Sequence, residues 1–323
     1  MCPKSLTNRD SPPKNKDLRV SQPRTGRVLE ITTRIGCKNN CSYCPQDTLI
    51  RAYSVKNADS ELSFDTLRKC LETVPTNVSI HFSGFSEPFL NADCSRLILH
   101  AHERGHSIRV YTTMVGMRLF DISVLRAIPF ERFVIHLPDS GSKTRIKVDD
   151  ASLNLLKALL SGGIRNLSGV SVGTDGPGGI HPQIRAAIEK AGICIEYPAL
   201  TTRAGNIDKS AIRIQPKICG PIGLCDRLYR NVLLPNGDVA LCCADYGLRH
   251  VLGNLLMSNY ESIFEGDEFL SITKELLDDS HDVLCRHCEW APAKRKGAGA
   301  VFRKIRSFFG IRRKSFPLHG KRE

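Results

Sequence analysis

Cys37, Cys41 and Cys44 stand in a Cys-x3-Cys-x2-Cys array within the run Ile35-Gly36-Cys37-Lys38-Asn39-Asn40-Cys41-Ser42-Tyr43-Cys44-Pro45. Three thiolates on one short loop can hold three irons of a 4Fe-4S cube and leave the fourth iron open to a non-protein ligand. An open iron is a place for chemistry. Structural zinc would want four closed ligands, and no fourth Cys or His lies close by in sequence, so the loop reads as a cluster site. A second set, Cys225, Cys243, Cys285 and Cys288, has the spacing Cys-x17-Cys-x41-Cys-x2-Cys. Four thiolates can close around a second 4Fe-4S cluster or around zinc, and the coexistence with the front array favours iron–sulfur. Cys242 adjoins Cys243. Neighbouring side chains of a strand face opposite ways, so one of the two is expected to reach the centre, and Cys243 is the expected ligand.

The elements that must position these thiols show in the apolar pattern. Candidate strands are Arg27–Ile35, Val78–Ser83, Ser107–Thr112, Arg132–Leu137, Gly169–Gly173 and Ile193–Tyr197. Amphipathic segments near 63–73, 93–104, 120–127, 151–161 and 182–191 separate them. Alternating strands and helices imply a parallel sheet of right-handed βαβ units. Six units fall short of the eight of a closed barrel, so the expected fold is α/β, a partial (β/α)6 TIM-like barrel over 27–205. The first array then falls in the loop after the first strand, at the barrel end where chemistry gathers. The other strand ends carry Gly84-Phe85-Ser86-Glu87, Thr113-Met114-Val115-Gly116, His136-Leu137-Pro138-Asp139 and 174–179. Beyond them, Pro235-Asn236-Gly237-Asp238 reads as a hairpin turn, with a helix near 260–277, so a small α+β domain is expected over 206–293.

Together these residues resemble the radical S-adenosylmethionine (SAM) superfamily. Its members carry Cys-x3-Cys-x-aromatic-Cys after the first strand of a partial (β/α)6 barrel, and Tyr43 takes the aromatic place. The resemblance covers about residues 27–197. It implies that Cys37, Cys41 and Cys44 ligate a cluster whose open iron takes the amino and carboxylate groups of SAM. It also implies that Tyr43 lies near the adenine, and that Gly84 and Glu87 belong to the segment binding the amino group. The family's Gly-Gly-Glu appears here in the looser form Gly-Phe-Ser-Glu-Pro, and its Thr-Asn-Gly as Thr113-Met114-Val115-Gly116, which loses the Asn. His136 occupies the place of a small polar residue facing the ribose. The reaction so implied is one-electron cleavage of SAM to methionine and a 5′-deoxyadenosyl radical, which removes hydrogen from an unactivated C–H bond. The C-terminal cysteines, with Gly-Asp-Val-x-x-Cys-Cys, Gly-Asn and Cys-x2-Cys, resemble the SPASM domain and its shortened twitch form. One auxiliary 4Fe-4S cluster on Cys225, Cys243, Cys285 and Cys288 follows, able to take an electron from a substrate radical. Arg203, after the sixth strand, is a candidate for binding substrate or helping to take a hydroxyl proton.

The rest of the chain narrows the partners. Thirteen cysteines with no export signal point to a reducing, cytoplasmic setting and to metal rather than disulfides. Residues 1–26, rich in Pro, Lys, Arg, Asn and Ser, read as a disordered leader. From Lys294 to Glu323 eleven Lys or Arg face one Glu, a balance of +10 that leaves +3 of the net +13 to the other 293 residues. Within this tail, 301–313 sets apolar residues against cations as a basic amphipathic helix, suited to peripheral contact with an anionic membrane or to a partner. A nucleic-acid-binding module stapled by metal would spread basic charge over the body, which is close to neutral, so nucleic acid is disfavoured. The expected substrate is a small molecule such as a sugar or sugar conjugate. A peptide-modifying maturase is the alternative, disfavoured because only 36 residues precede Cys37. An external electron donor such as flavodoxin or ferredoxin is expected.

Overall fold

A computed structural model describes residues 28–55, 59–207, 217–223, 225–277 and 282–291. The leader at 1–26 and the basic tail with its helix at 301–313 lie outside the described residues. The first six strands are β1 (Val28–Ile31), β2 (Ser79–Phe82), β3 (Ile108–Thr112), β4 (Arg132–His136), β5 (Leu167–Val170) and β6 (Ile195–Glu196). All pair in parallel, each with the next. The helices are α1 (Gln46–Ser54), α2 (Phe64–Leu71), α3 (Cys94–Glu103), α4 (Leu119–Leu125), α5 (Asp150–Ser161) and α6 (Pro182–Ala191). The open α/β partial barrel expected from the sequence is present, with each strand inside its expected segment or within two residues of it.

Period-two alternation explains the curvature of the barrel and its use. Leu29, Ile31, Ile80, Phe82, Ile108, Val110, Phe133 and Ile135 are buried in one core with Leu67, Leu71, Leu97, Ile98, Leu125, Leu156 and Ile188 of the helices. The alternate positions carry the polar residues Glu30, His81, Arg109, Arg132 and His136 along with Val28, Tyr111 and Val134. Arg109 pairs with Glu131, and Arg132 with Glu196. A closed barrel would fill its interior with branched apolar side chains. This one keeps its concave face for polar groups.

The second cysteine region does not form a separate sheet. β7 (Arg230–Leu233) pairs in parallel with β1, so the order runs β6-β5-β4-β3-β2-β1-β7-β8-β9. β8 (Asp238–Ala240) and β9 (Val251–Asn254) add antiparallel to that edge. The turn at 234–238 forms as its residues dictate. Leu234 N–H donates to Asp238 O at 2.8 Å, and Gly237 adopts φ +88°. The helix expected near 260–277 breaks at Gly266 into a 3-10 turn, Glu261–Phe264, and α7 (Asp267–Glu275). Among the described residues no helix is long and apolar enough to cross a membrane.

Candidate functional site

The front loop runs from the end of β1 into α1. Cys44 N–H donates to Cys41 O at 3.0 Å, a tight turn that brings Cys41 and Cys44 to one side. Gln46 braces the loop. Its Oε1 accepts from Cys37 N–H at 3.2 Å, and its Nε2 donates to Cys44 Sγ at 3.3 Å and to Phe85 O at 2.5 Å. Cys41 Sγ donates to Thr144 O at 3.0 Å. All three thiols are half-buried. Burial raises Cys37 above an ordinary thiol, and burial with Cys44 and Cys37 nearby pushes Cys41 up to about 12. Loading this loop with a cluster must therefore release protons. Tyr43 is buried beside Ile207, with Val172 and Leu200 against the pair.

The strand ends close around the loop. Gly84 has φ +51°, and a Cβ there would lie 2.2 Å from Thr32 Oγ1 and 2.9 Å from Thr32 Cα. Only glycine lets the β2 end approach β1 this closely. Glu87 is buried and fully engaged. It accepts from Thr112 Oγ1 at 2.6 Å, Thr113 N at 2.5 Å, Thr113 Oγ1 at 2.6 Å and Phe89 N at 3.2 Å. Thr113 Oγ1 in turn accepts from Asn39 Nδ2 of the cysteine loop at 2.8 Å. Glu87 thus locks the ends of β2 and β3 together. Burial raises its pKa against the pull of these donors. His136, half-buried at the end of β4, is lowered to about 4 by burial and by the Arg203 cation. Arg203 lies within electrostatic reach of Tyr246, Cys243, Cys44 and Tyr43. Arg203, Ala204 and Gly205 have φ of 52°, 54° and 80°, a left-handed run that costs about 1–2 kcal/mol at each non-glycine position.

Cys225, Cys242, Cys285 and Cys288 line one cavity with Arg227, Leu228, Leu241, Ala244, Leu284 and Ala291, and Cys243 is not among the lining residues. The charged groups around Cys243 are Glu30, Arg227, Arg203 and Arg230, of which Arg227 also lines the cavity. Of the adjacent pair, Cys242 lines this cavity, while Cys243 Sγ accepts from Arg227, whose backbone N–H donates to Cys225 Sγ at 3.4 Å. β8 ends at Ala240, before both thiols. A turn in which Asp245 N–H donates to Cys242 O at 3.0 Å then turns both side chains away from strand alternation. Burial raises Cys242, and pushes Cys285 up to about 12 and Cys288 to about 11. Among the described residues no group of three His, Cys, Asp or Glu converges as the shell of a single metal ion. Four thiols around one cavity are a donor set that a 4Fe-4S cube can take.

Two arginines escaped the reading of the sequence. Arg286, between Cys285 and Cys288, is fully buried. It donates to Ile218 O and Gly220 O at 3.0 Å and to Glu275 O at 2.8 Å, pinning the Cys-x2-Cys turn to the body. Arg227 stacks 4.0 Å over the Trp290 ring and donates to Cys243 Sγ at 3.3 Å. The Arg-x-Cys and Cys-x-Trp neighbourhoods gave a signal only in hindsight. Tyr246 joins the two regions. Its Oη lies 3.6 Å from Cys44 Sγ, and its ring meets Phe85 edge-on at 4.9 Å.

Comparisons with known proteins agree with this geometry. Residues 225–289 match the SPASM model, an iron–sulfur cluster-binding domain. No curated protein matches the sequence. Similar solved structures include SuiB of Streptococcus suis bound to precursor peptide SuiA, with TM-score 0.57, 14% identity, 82% of this chain covered and 70% of that one. Native anSMEcpe with bound AdoMet gives TM-score 0.54 at 12% identity over 81% and 86%. BtrN in complex with AdoMet and 2-DOIA gives 0.50 at 15% over 79% and 88%. At these identities the likeness is one of fold. The chain shares the partial-barrel fold of these structures, and its residues 225–289 match an iron–sulfur cluster-binding domain.

Proposed function

We propose that this protein cleaves SAM reductively and removes a hydrogen atom from a small, hydroxyl-rich substrate such as a sugar or sugar conjugate. Cys37, Cys41 and Cys44 would hold the SAM-binding cluster, and Cys225, Cys242, Cys285 and Cys288 an auxiliary one. Bound at the front loop, a reduced 4Fe-4S cluster supplies the electron that breaks the carbon–sulfur bond of SAM. The chain's own residues do the rest. The Tyr43 and Ile207 wall offers an apolar face to an adenine. Glu87 and Thr113 hold two strand ends in register beside the cysteine loop, with Gly84 allowing the close approach. Arg203, always protonated, can bind a substrate hydroxyl and favour its ionisation, and neutral His136 nearby can accept the proton.

One observation carries the reading: Tyr246, four residues after Cys242, touches Cys44 at 3.6 Å. Tyr246 thus links the front thiols to the segment that carries Cys242 and Cys243, an arrangement suited to passing an electron from a substrate radical to a second cluster. The polar concave face with Glu30, His81, Arg109 and Arg132 supports a small polar substrate over an apolar one. A peptide substrate is the second reading, supported by the fold shared with peptide-bound SuiB. An external donor such as flavodoxin or ferredoxin would reduce the front cluster, and the basic tail would serve any contact with a membrane surface. The test is anaerobic reconstitution, iron counting and incubation with SAM and dithionite. About eight irons per chain and release of methionine with 5′-deoxyadenosine are expected. A fully loaded protein that releases neither sinks the proposal, as does undiminished release by Cys41→Ala.

A further inference from the structure

The loop after β6 rests on the second cysteine region at three points. Glu289, next to Cys288, accepts from both the backbone N–H and the Oγ1–H of Thr202. Asn206 Nδ2 donates to Ala244 O, one residue past Cys243, at 2.9 Å and to Arg203 O at 2.7 Å. His287, between Cys285 and Cys288, backs Gly205 so closely that a side-chain carbon added there would lie 3.5 Å from His287 Cβ. The loop is closed on itself by Ile207 N–H to Thr202 O and Gly205 N–H to Thr202 Oγ1, each at 3.0 Å.

Its backbone is left-handed at Arg203, Ala204 and Gly205, a conformation that persists only where the surroundings impose it. The surroundings here are the two chain segments that carry Cys242, Cys285 and Cys288. What the loop presents to the barrel mouth is Ile207, packed on Tyr43, and Arg203, within electrostatic reach of Tyr43 and Cys44.

We infer that the auxiliary centre is the anchor of this loop, with Glu289 and Asn206 as positioning residues, so that the barrel mouth takes its shape only when the second centre is occupied. The inference rests on the auxiliary-cluster assignment proposed above. A cluster holds Cys285 and Cys288 at fixed separation, which fixes Glu289 and His287 between and beside them. Thr202, Arg203 and Ile207 follow. Linkage makes the coupling reciprocal: a ligand that orders the mouth should in turn protect the Cys285–Cys288 turn.

Hydrogen–deuterium exchange of the reconstituted holoenzyme tests this. Glu289→Ala and Asn206→Ala, each with iron counted, are compared with Glu289→Gln, whose carbonyl oxygen can still accept from Thr202. Exchange over 202–207 is expected to quicken about 10- to 100-fold in Glu289→Ala, the range for loss of hydrogen bonds to a charged acceptor, and about 2- to 10-fold in Asn206→Ala, whose lost bonds are neutral. Exchange in β1–β4 should stay as in the wild type, and Glu289→Gln should restore protection. Removing the auxiliary centre by Cys285→Ala should open the same six residues while the front cluster remains. Unchanged protection in Asn206→Ala and Cys285→Ala overturns the inference, as does failure of Glu289→Gln to restore it. A wild type that loads only about four irons overturns the auxiliary-cluster assignment instead.

Discussion

Cys242 and Cys243 make a paired experiment, because only Cys242 of the two adjacent thiols lines the cavity of Cys225, Cys285 and Cys288. Cys242 lines the cavity shared by Cys225, Cys285 and Cys288, so Cys242→Ala removes one of four closing ligands. The iron count should fall from about eight to about four per chain, with the SAM-binding cluster retained. Cys243→Ala removes a thiol that accepts from Arg227 at 3.3 Å. That loss should cost less than about 1.5 kcal/mol, the range of one hydrogen bond, and leave the iron at about eight. Iron assay with electron paramagnetic resonance of the reduced protein reads both clusters. In Cys242→Ala a single reduced-cluster signal should remain, and SAM should still perturb it. The reverse pattern, with iron lost from Cys243→Ala and kept in Cys242→Ala, refutes the argument from the end of β8.

Gly84→Ala should destabilise by about 3 kcal/mol or more, read as a lower urea midpoint, since φ +51° and a 2.9 Å approach to the Thr32 backbone leave no room for the methyl group. Arg286→Met leaves three half-buried carbonyls without their buried donor, so about 2–4 kcal/mol of stability and the auxiliary irons should go together. Arg286→Lys should not rescue it. Glu131 is held at about 2 by the hydrogen bond from Arg109. A depressed carboxylate adds stability above its unfolded pKa and loses it as pH falls from about 4.5 toward 2, so Glu131→Gln should flatten the acid limb of the stability profile between those values.

Local rules carried the barrel. Each strand alternates residues such as Leu29 and Ile31 with polar ones such as Glu30, and each helix shows its own apolar stripe, so six βα units were legible. α1 was missed although Leu49 and Tyr53 stand one turn apart behind Pro45, because the cysteine loop drew the whole segment into loop. The ladder between Val28–Ile31 and Arg230–Leu233 spans some two hundred residues, and no local pattern encodes such a pairing. Which of Cys242 and Cys243 lines the cavity was out of reach for a related reason: parity holds only inside a strand, and where β8 stops depends on its antiparallel partner β9 and the irregular register at Val239 and Ala240. Arg286 was invisible because its acceptors are backbone carbonyls, which any sequence can supply.

The ladder between β1 and β7 makes β1 an interior strand, and Leu29 and Ile31 are fully hidden. A chain cut between β6 and β7 would turn β1 into an edge, with unpaired amides and carbonyls beside two large apolar residues. Such an edge is a template for pairing with a second copy. Grafting experiments that exchange the cluster-bearing region between relatives must therefore move β7 as a matched strand, not as cargo on a linker. An isolated barrel should self-associate before it can be assayed.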